Sequence, residues 1–315
     1  MNMRETKAHL RYTLTVFLRR LAPGRNATVY PDDVFLVSYP KSGNTWMRFL
    51  VGNLLFPNEP IRFADVEKRM PSIYGMQNRK LELVSRPRYI KSHESFHSGY
   101  RNVIYIVRDP RDVAVSYFHF ALKLRSLPPN STIDSFVPGF VANKVLWPYG
   151  NWADHVMSWL AMRPSRRKFL FLRYEDLIAD TRRELSKVAL FLGIDPTPER
   201  LDHAVEMSTA NRMRDLEKRE WNKWSGVMRR SRRDVPFVRA AKTKQWTEAL
   251  SAEAVASIEN AWGPLMQALG YKLVSTPQQL QKDADTWRFC EAQVRALWPD
   301  SEAQEATPLA LNKAI

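Results

Sequence analysis

The sequence predicts an α/β fold, a central parallel sheet flanked by helices, on three observations. Short apolar runs rich in β-branched and aromatic residues alternate with helical patterns along the chain. These runs lack the period-2 alternation of a half-exposed strand, as expected of strands covered on both faces. One of them passes through a glycine-containing turn directly into a helix, an arrangement that binds phosphate groups. Strands and helices alternating in this way join by right-handed crossovers into one parallel sheet.

Each element follows from its residues. Leu10, Leu14, Phe17, Leu18 and Leu21 share one face of a helix within an N-terminal extension, residues 1–31, with Arg11, Arg19 and Arg20 interleaved. The arginines, and the lack of a small-residue cleavage site, are unlike a signal peptide. Two readings stand for this helix: packing on the domain, or lying on an anionic membrane surface. Val34, Phe35, Leu36, Val37 and Ser38 form a buried strand; the turn 40–46 follows, then a helix over 46–55 with Trp46, Phe49, Leu50 and Leu54 apolar. Residues 88–90 are a short strand leading to Lys91, Ser92 and His93. A second buried strand, 103–107, is broken by Arg108, Asp109 and Pro110, and a helix starts near Asp112. Residues 169–172 are a strand entering Arg173, Tyr174, Glu175 and Asp176, and an amphipathic helix over 182–192 ends at Gly193. The Arg- and Lys-rich stretch 211–233 reads as a basic excursion from the core. It is either a lid, over about 212–238, or a solvated face. A helix over 252–269 closes a main domain of residues 32–275. In the polar, helical appendage 276–315, Trp287, Cys290, Val294 and Leu297 form one stripe suited to docking or to a homodimer contact.

Net charge is +15, from 48 Lys+Arg against 33 Asp+Glu, which points to anionic partners. No run approaches the roughly 18 apolar residues of a membrane-spanning helix. The single cysteine, Cys290, excludes an intramolecular disulfide and gives no sign of an oxidising compartment. A cytoplasmic, bacterial protein is expected, peripheral to a membrane if its N-terminal helix binds one.

The turn holding Lys41, Ser42, Gly43, Asn44, Thr45 and Trp46 carries the chemistry. Backbone N–H groups opening a helix have no intrahelical partner and attract anions. Gly43 lets the backbone approach a ligand, Ser42, Asn44 and Thr45 add side-chain donors, and Lys41 adds charge. It is not a Walker A loop, in which the lysine follows the second glycine. On these grounds alone, a phosphate site and an ordinary polar turn both remain open.

SYPKSGNTW at 38–46 resembles the 5′-phosphosulfate loop of the soluble sulfotransferases that use 3′-phosphoadenosine-5′-phosphosulfate (PAPS). KSH at 91–93 resembles that family's catalytic strand end, and VRDPRDVAVSYFHF at 107–120 its 3′-phosphate motif. YGNWADHVMSW at 149–159 and LRYEDL at 172–177 match further segments in the same order. The resemblance covers about residues 32–275 and implies PAPS as donor and no metal. It implies His93 as general base, since imidazole titrates near working pH. Lys41 would neutralise charge on the leaving oxygen, and Lys91 would hold the sulfuryl oxygens. Arg108 and Ser116 would grip the 3′-phosphate, Trp46 would stack on adenine and Tyr174 would meet the base edge. The alternatives are an ion pair of Arg108 with Asp109 or Asp112, and packed core roles for Trp46 and Tyr174. His97 and His119 compete with His93 but do not match the catalytic position. Glu175 and Asp176 are weak candidates for a metal.

Two departures stand out. The family's R-K-G-x-x-G-x-W element reads here Arg239, Ala240, Ala241, Lys242, Thr243, Lys244, Gln245, Trp246, so Ala241 replaces a glycine. The aromatic that completes the adenine sandwich aligns with Ala210, leaving Ser208 as the polar contact nearby. The resemblance implies sulfuryl transfer to a hydroxyl of a small-molecule, carbohydrate or glycolipid acceptor. A kinase on a related phosphate-loop fold and a basic nucleic-acid-binding protein are the alternatives. Against the latter, no recognition module is visible and the arginines cluster in one stretch.

Overall fold

The computed structural model describes residues 27–74, 78–145, 149–161, 168–223 and 231–275, with Ala292. The expected N-terminal amphipathic helix and the C-terminal stripe lie outside the described residues. Strands β1 (Val34–Ser38), β2 (Tyr89–Ser92), β3 (Asn102–Val107) and β4 (Lys168–Arg173) form one parallel sheet in the order β2-β1-β3-β4. The strand side chains divide by alternation. Phe35, Val37, Val103, Tyr105 and Val107 enter one apolar cluster, whereas Val34, Leu36, Ile104 and Ile106 enter another. Both faces are covered, which is why β1 is buried throughout and shows no polar alternation.

The helices are α1 (Asn44–Leu55), α2 (Val66–Arg69), α3 (Asn78–Glu82), α4 (Pro110–Lys123), α5 (Ile133–Val141), α6 (Trp152–Ala161), α7 (Tyr174–Ala179), α8 (Thr181–Leu192), α9 (Pro198–Met207), α10 (Ala210–Glu220), α11 (Trp246–Ala249) and α12 (Ala252–Ala268). Helix α4 begins two residues earlier than expected. Pro110 fits its first position, and the Asp109 carboxylate accepts from Arg111 N. Gly193 ends α8 in the left-handed conformation at φ 72°, as predicted. The stretch expected to leave the core instead continues as α10 and a short turn, Trp221–Lys223, with Met213, Glu217, Glu220 and Trp221 buried. Hydrophobic spacing there is hidden by the many arginines on the outer face.

The strand order places the sheet's reversal between β1 and β3, where ligands bind beyond the carboxyl ends of parallel strands. Register aligns those ends: Ser38 pairs with Ile106, and Val37 with Ser92. Residues following Ser38, Ser92 and Val107 therefore leave the sheet together. At the opposite edge, Arg88 and Asp33 form a fully enclosed ion pair, each side chain 0% exposed, and Arg88 also donates to Leu81 O and Thr28 O. Arg88→Ala would leave Asp33 buried and unpaired, so denaturant unfolding should show a loss of about 3–5 kcal/mol.

Candidate active site

The loop after β1 turns through two left-handed residues, Lys41 at φ 71° and Gly43 at φ 98°. Gly43 is required twice over: its φ disfavours any side chain, and a Cβ there would lie 2.6 Å from Tyr174 Cδ2. No side chain caps α1, so its first N–H groups are left for a ligand. Ser42 Oγ is buried without a hydrogen-bond partner. Asn44 differs from expectation, because its Nδ2 donates to Leu36 O (2.8 Å) and Ser38 Oγ (3.3 Å). Its amide fastens the loop to β1, leaving its backbone N–H to face a ligand.

At the end of β2, His93 is 7% exposed, and its Nδ1 lies 2.7 Å from Ser38 O. A carbonyl only accepts, so Nδ1 carries the proton and Nε2 keeps its lone pair. Burial, and then the nearby Lys91 charge, hold the His93 pKa well below the usual histidine value. The imidazole is therefore neutral at pH 7. Behind it, His155 Nε2 donates to His93 O (3.2 Å) and its Nδ1 accepts from Tyr105 OH (2.9 Å). His97 instead accepts from Gly99 N and stacks on Tyr100, and burial pushes His119 down to about 4.

Two lysines flank this base. Part of the Lys41 surface is accessible, yet protein surrounds its ammonium. Burial, followed by the charges of Lys91, Arg108, Arg239 and Lys123, pushes its pKa down to about 7. Its Nζ sits 4.0 Å from the Phe120 ring centroid and 4.7 Å from that of Phe237, favourable cation–π geometry. Burial, with Arg48 adding to it, brings Lys91 down to about 8. Arg48 is itself paired with Glu67 at 2.8 Å.

Arg108, following β3, donates to Lys41 O and Lys242 O (3.3 Å each) and lies 4.2 Å over the Tyr174 ring. Its Nε is buried without a partner. Ser116 is half-buried on α4, one turn beyond Asp112. Asp112 accepts from Lys244 N (2.9 Å) and Trp246 N (3.1 Å), pinning the segment that carries Arg239, Ala240 and Ala241. Trp46 stands edge-on to Tyr174, its Nε1 donating to Ser208 O at 3.0 Å. The Ser208 hydroxyl accepts from Asn53 inside the fold, so Ser208 serves the site through the carbonyl that orients Trp46. A separate groove of about 470 Å³ between residues 59–69 and α10 contains none of the predicted site residues.

Residues 31–270 match the Sulfotransferase domain family. The chain belongs to that family. A 3-beta-hydroxysteroid sulfotransferase of Cavia porcellus is 34% identical over 199 residues, covering 60% of this chain and 68% of the relative. An amine sulfotransferase of Oryctolagus cuniculus is 28% identical over 233 residues, covering 70% and 76%. Among solved structures, a mouse sulfotransferase complexed with PAP superposes with a TM-score of 0.62 at 23% identity, covering 86% of this chain and 91% of the other. Retinol dehydratase complexed with androsterone and inactive cofactor PAP gives 0.63 at 23%, covering 78% and 85%. These two likenesses establish the shared fold. Family membership decides for sulfuryl transfer over the kinase reading.

Seen as a sulfotransferase, the chain has left-handed backbone at both positions where the family's element carries glycine. Ala241 sits at φ 50° and Lys244, at the motif's second glycine position, at φ 58°. The Asp112 carboxylate offsets part of this strain by holding Lys244 N and Trp246 N. Met213, one turn beyond Ala210, is buried in the cluster that also packs on Trp46. Glu175 is turned inward as an acceptor: it accepts from Asp109 N and Tyr271 OH, and burial pushes it up to about 7. Asp112, which the sequence offers as an ion-pair partner of Arg108, lies 3.7 Å from it. Its hold on Lys244 N and Trp246 N, His155 and the Arg48–Glu67 pair were missed by sequence reasoning. His155 falls inside a family segment, 149–159, whereas Arg48 and Glu67 lie outside every such segment and carry no such signal. Ala241→Gly should stabilise the protein by about 1 kcal/mol, measured by denaturant unfolding, because it removes a left-handed alanine; a destabilised variant would show that the loop relaxes otherwise.

Proposed function

We propose that the chain transfers the sulfuryl group of PAPS to a hydroxyl of a small-molecule acceptor, with His93 as general base. The observation carrying this reading is the Ser38 carbonyl, which fixes the His93 tautomer so that an unprotonated Nε2 stands beside Lys41 and Lys91. The acceptor oxygen attacks sulfur as its proton passes to Nε2. The bond between sulfur and the bridging oxygen breaks, and that oxygen leaves with the electron pair on the nucleotide phosphate. Lys41 meets the charge gathering there, and Lys91 holds the sulfuryl oxygens. Such transfer is mostly positioning and charge stabilisation.

The residues fit the donor. Ser42 Oγ and Arg108 Nε are buried polar groups without partners in the protein, as sites for oxyanions require. In this reading the backbone of Ser42, Gly43, Asn44 and Thr45 holds the 5′-phosphosulfate. Arg108, Ser116, Arg239 and the backbone of Ala240 and Ala241 hold the 3′-phosphate. Trp46 and Tyr174 take the adenine, the second stacking face being the Met213 side. Residues from α10 to about 238 act as the lid of a domain spanning 32–275. The names of relatives acting on steroids and amines support a small organic acceptor. The aromatic walls near His93, with Tyr149 at 5.9 Å between ring centroids, agree with one.

Incubation with radiolabelled PAPS and a panel of phenols, sterols, amines and sugars tests the reaction; absence of labelled product from every acceptor would count against it. His93→Ala should cost about 10²–10⁴-fold in kcat while nucleotide binding persists, the range for general-base catalysis. Lys41 supplies a second check. Its value of about 7 must rise when an anion binds, so binding at about pH 8 takes up protons and affinity falls as pH rises from 7 to 9. Calorimetry in buffers of different ionisation heat should show this uptake, reduced in Lys41→Met.

A further inference from the structure

The segment carrying Arg239, Ala240 and Ala241 past Arg108 is held at both ends by a buried carboxylate. Asp112 takes the far end through Lys244 N and Trp246 N. At the near end Glu217, on α10 and 5% exposed, accepts from Phe237 N at 2.7 Å and Val238 N at 2.9 Å. Lys123 Nζ, at the end of α4, lies 3.5 Å from the same carboxylate and donates to Arg232 O (3.0 Å) and Val235 O (2.6 Å). It also sits 4.3 Å over the Trp221 ring, while Lys123 O accepts from Arg232 N at 2.8 Å. Lys123 is 1% exposed.

This knot joins α4, α10 and residues 232–238 through directional bonds in a site shielded from water. Apolar side chains would stabilise such a junction at least as well, whereas an ion pair bonded to specific backbone groups fixes position. What it positions is next in the chain. Phe237 is one wall of the Lys41 ammonium site, Arg239 follows two residues later, and Arg214 of α10 donates to Arg239 O at 2.7 Å.

We propose that Glu217 and Lys123 are positioning residues for the donor, clamping residues 232–239 so that Phe237 is seated on Lys41 and Arg239 is presented beside Arg108. The inference rests on the donor site assigned above. It makes α10 a mechanical part of that site: moving α10 withdraws Glu217 and frees the Phe237 end of the segment.

The test uses the full chain and adenosine 3′,5′-bisphosphate as probe, with calorimetric Kd and amide hydrogen exchange as readouts. Glu217→Ala should raise Kd at least tenfold and speed exchange at Phe237 and Val238, leaving the sheet amides protected. Glu217→Gln keeps one accepting oxygen and should fall between. Lys123→Met, similar in volume, should reproduce the weakened binding. If Glu217→Ala does not fold, the Glu217→Gln and Lys123→Met pair carries the same comparison. A folded variant with wild-type Kd overturns the proposal, as does a loss of protection spread evenly over the domain with Kd unchanged. Wild-type protein that fails to bind the bisphosphate would overturn the donor site itself, an outcome visible before any variant is made.

Discussion

Burial of cations at the carboxyl ends of the strands, with their mutual repulsion added to it, shapes the rest of this structure. Lys41 feels Lys91, Arg108, Arg239 and Lys123, and burial removes the water that would otherwise screen them. Arg239 is likewise disfavoured by burial and by Arg108. Such a cluster needs carboxylates behind it and an anion in front of it. The carboxylates are present as structural residues: Glu67 behind Lys91 through Arg48, Asp112 behind Arg108, and Glu217 behind Lys123. Each also accepts backbone N–H groups, so charge compensation and loop placement are one device.

The sheet brings these cations together without strain in its own strands. Parallel pairing in register makes β1, β2 and β3 end side by side, and the first residues beyond them carry the functional groups. Within the site, strain gathers in the loops, at Lys41, Gly43, Ala241 and Lys244, all with positive φ. It is tolerated there because neighbours fix the loops: Asn44 ties one to β1, and Asp112 ties the other to α4. Tyr174 links the loops, packing on Gly43 with one side of its ring environment and beneath Arg108 with another.

The strands were legible because a strand buried on both faces cannot be mistaken for an alternating one, and β1 and β3 lie within a residue of expectation. The start of α4 was less so, since its capping Asp109 and first-turn Pro110 sit in a segment that reads as a break. Helix α10 was obscured by its arginines, which face outward and mask Met213, Glu217 and Glu220. In the site, Lys41, Lys91, His93 and Arg108 were legible from motifs. Asp112 was legible only as an ion-pair partner of Arg108, and His155 not at all, because an acid or a histidine inside a helix carries no mark of the backbone group it will meet.

The parallel sheet, the anion loop after β1 and the family can be read from the amino-acid order alone, since they reside in local runs of residues and in their succession. Three-dimensional packing is what turns Asn44 inward, sets Ser38 O against His93 to select its tautomer, and holds Ala241 in a left-handed conformation. Packing also sets Glu217 of α10 against the backbone of Phe237, in a segment outside any helix. Apart from Asn44, whose partners lie six and eight residues back, those outcomes depend on groups twenty or more residues apart meeting in a water-poor space, where unpaired donors, acceptors and charges are costly. Local pattern specifies which side chains are available, and burial selects the partner each must find.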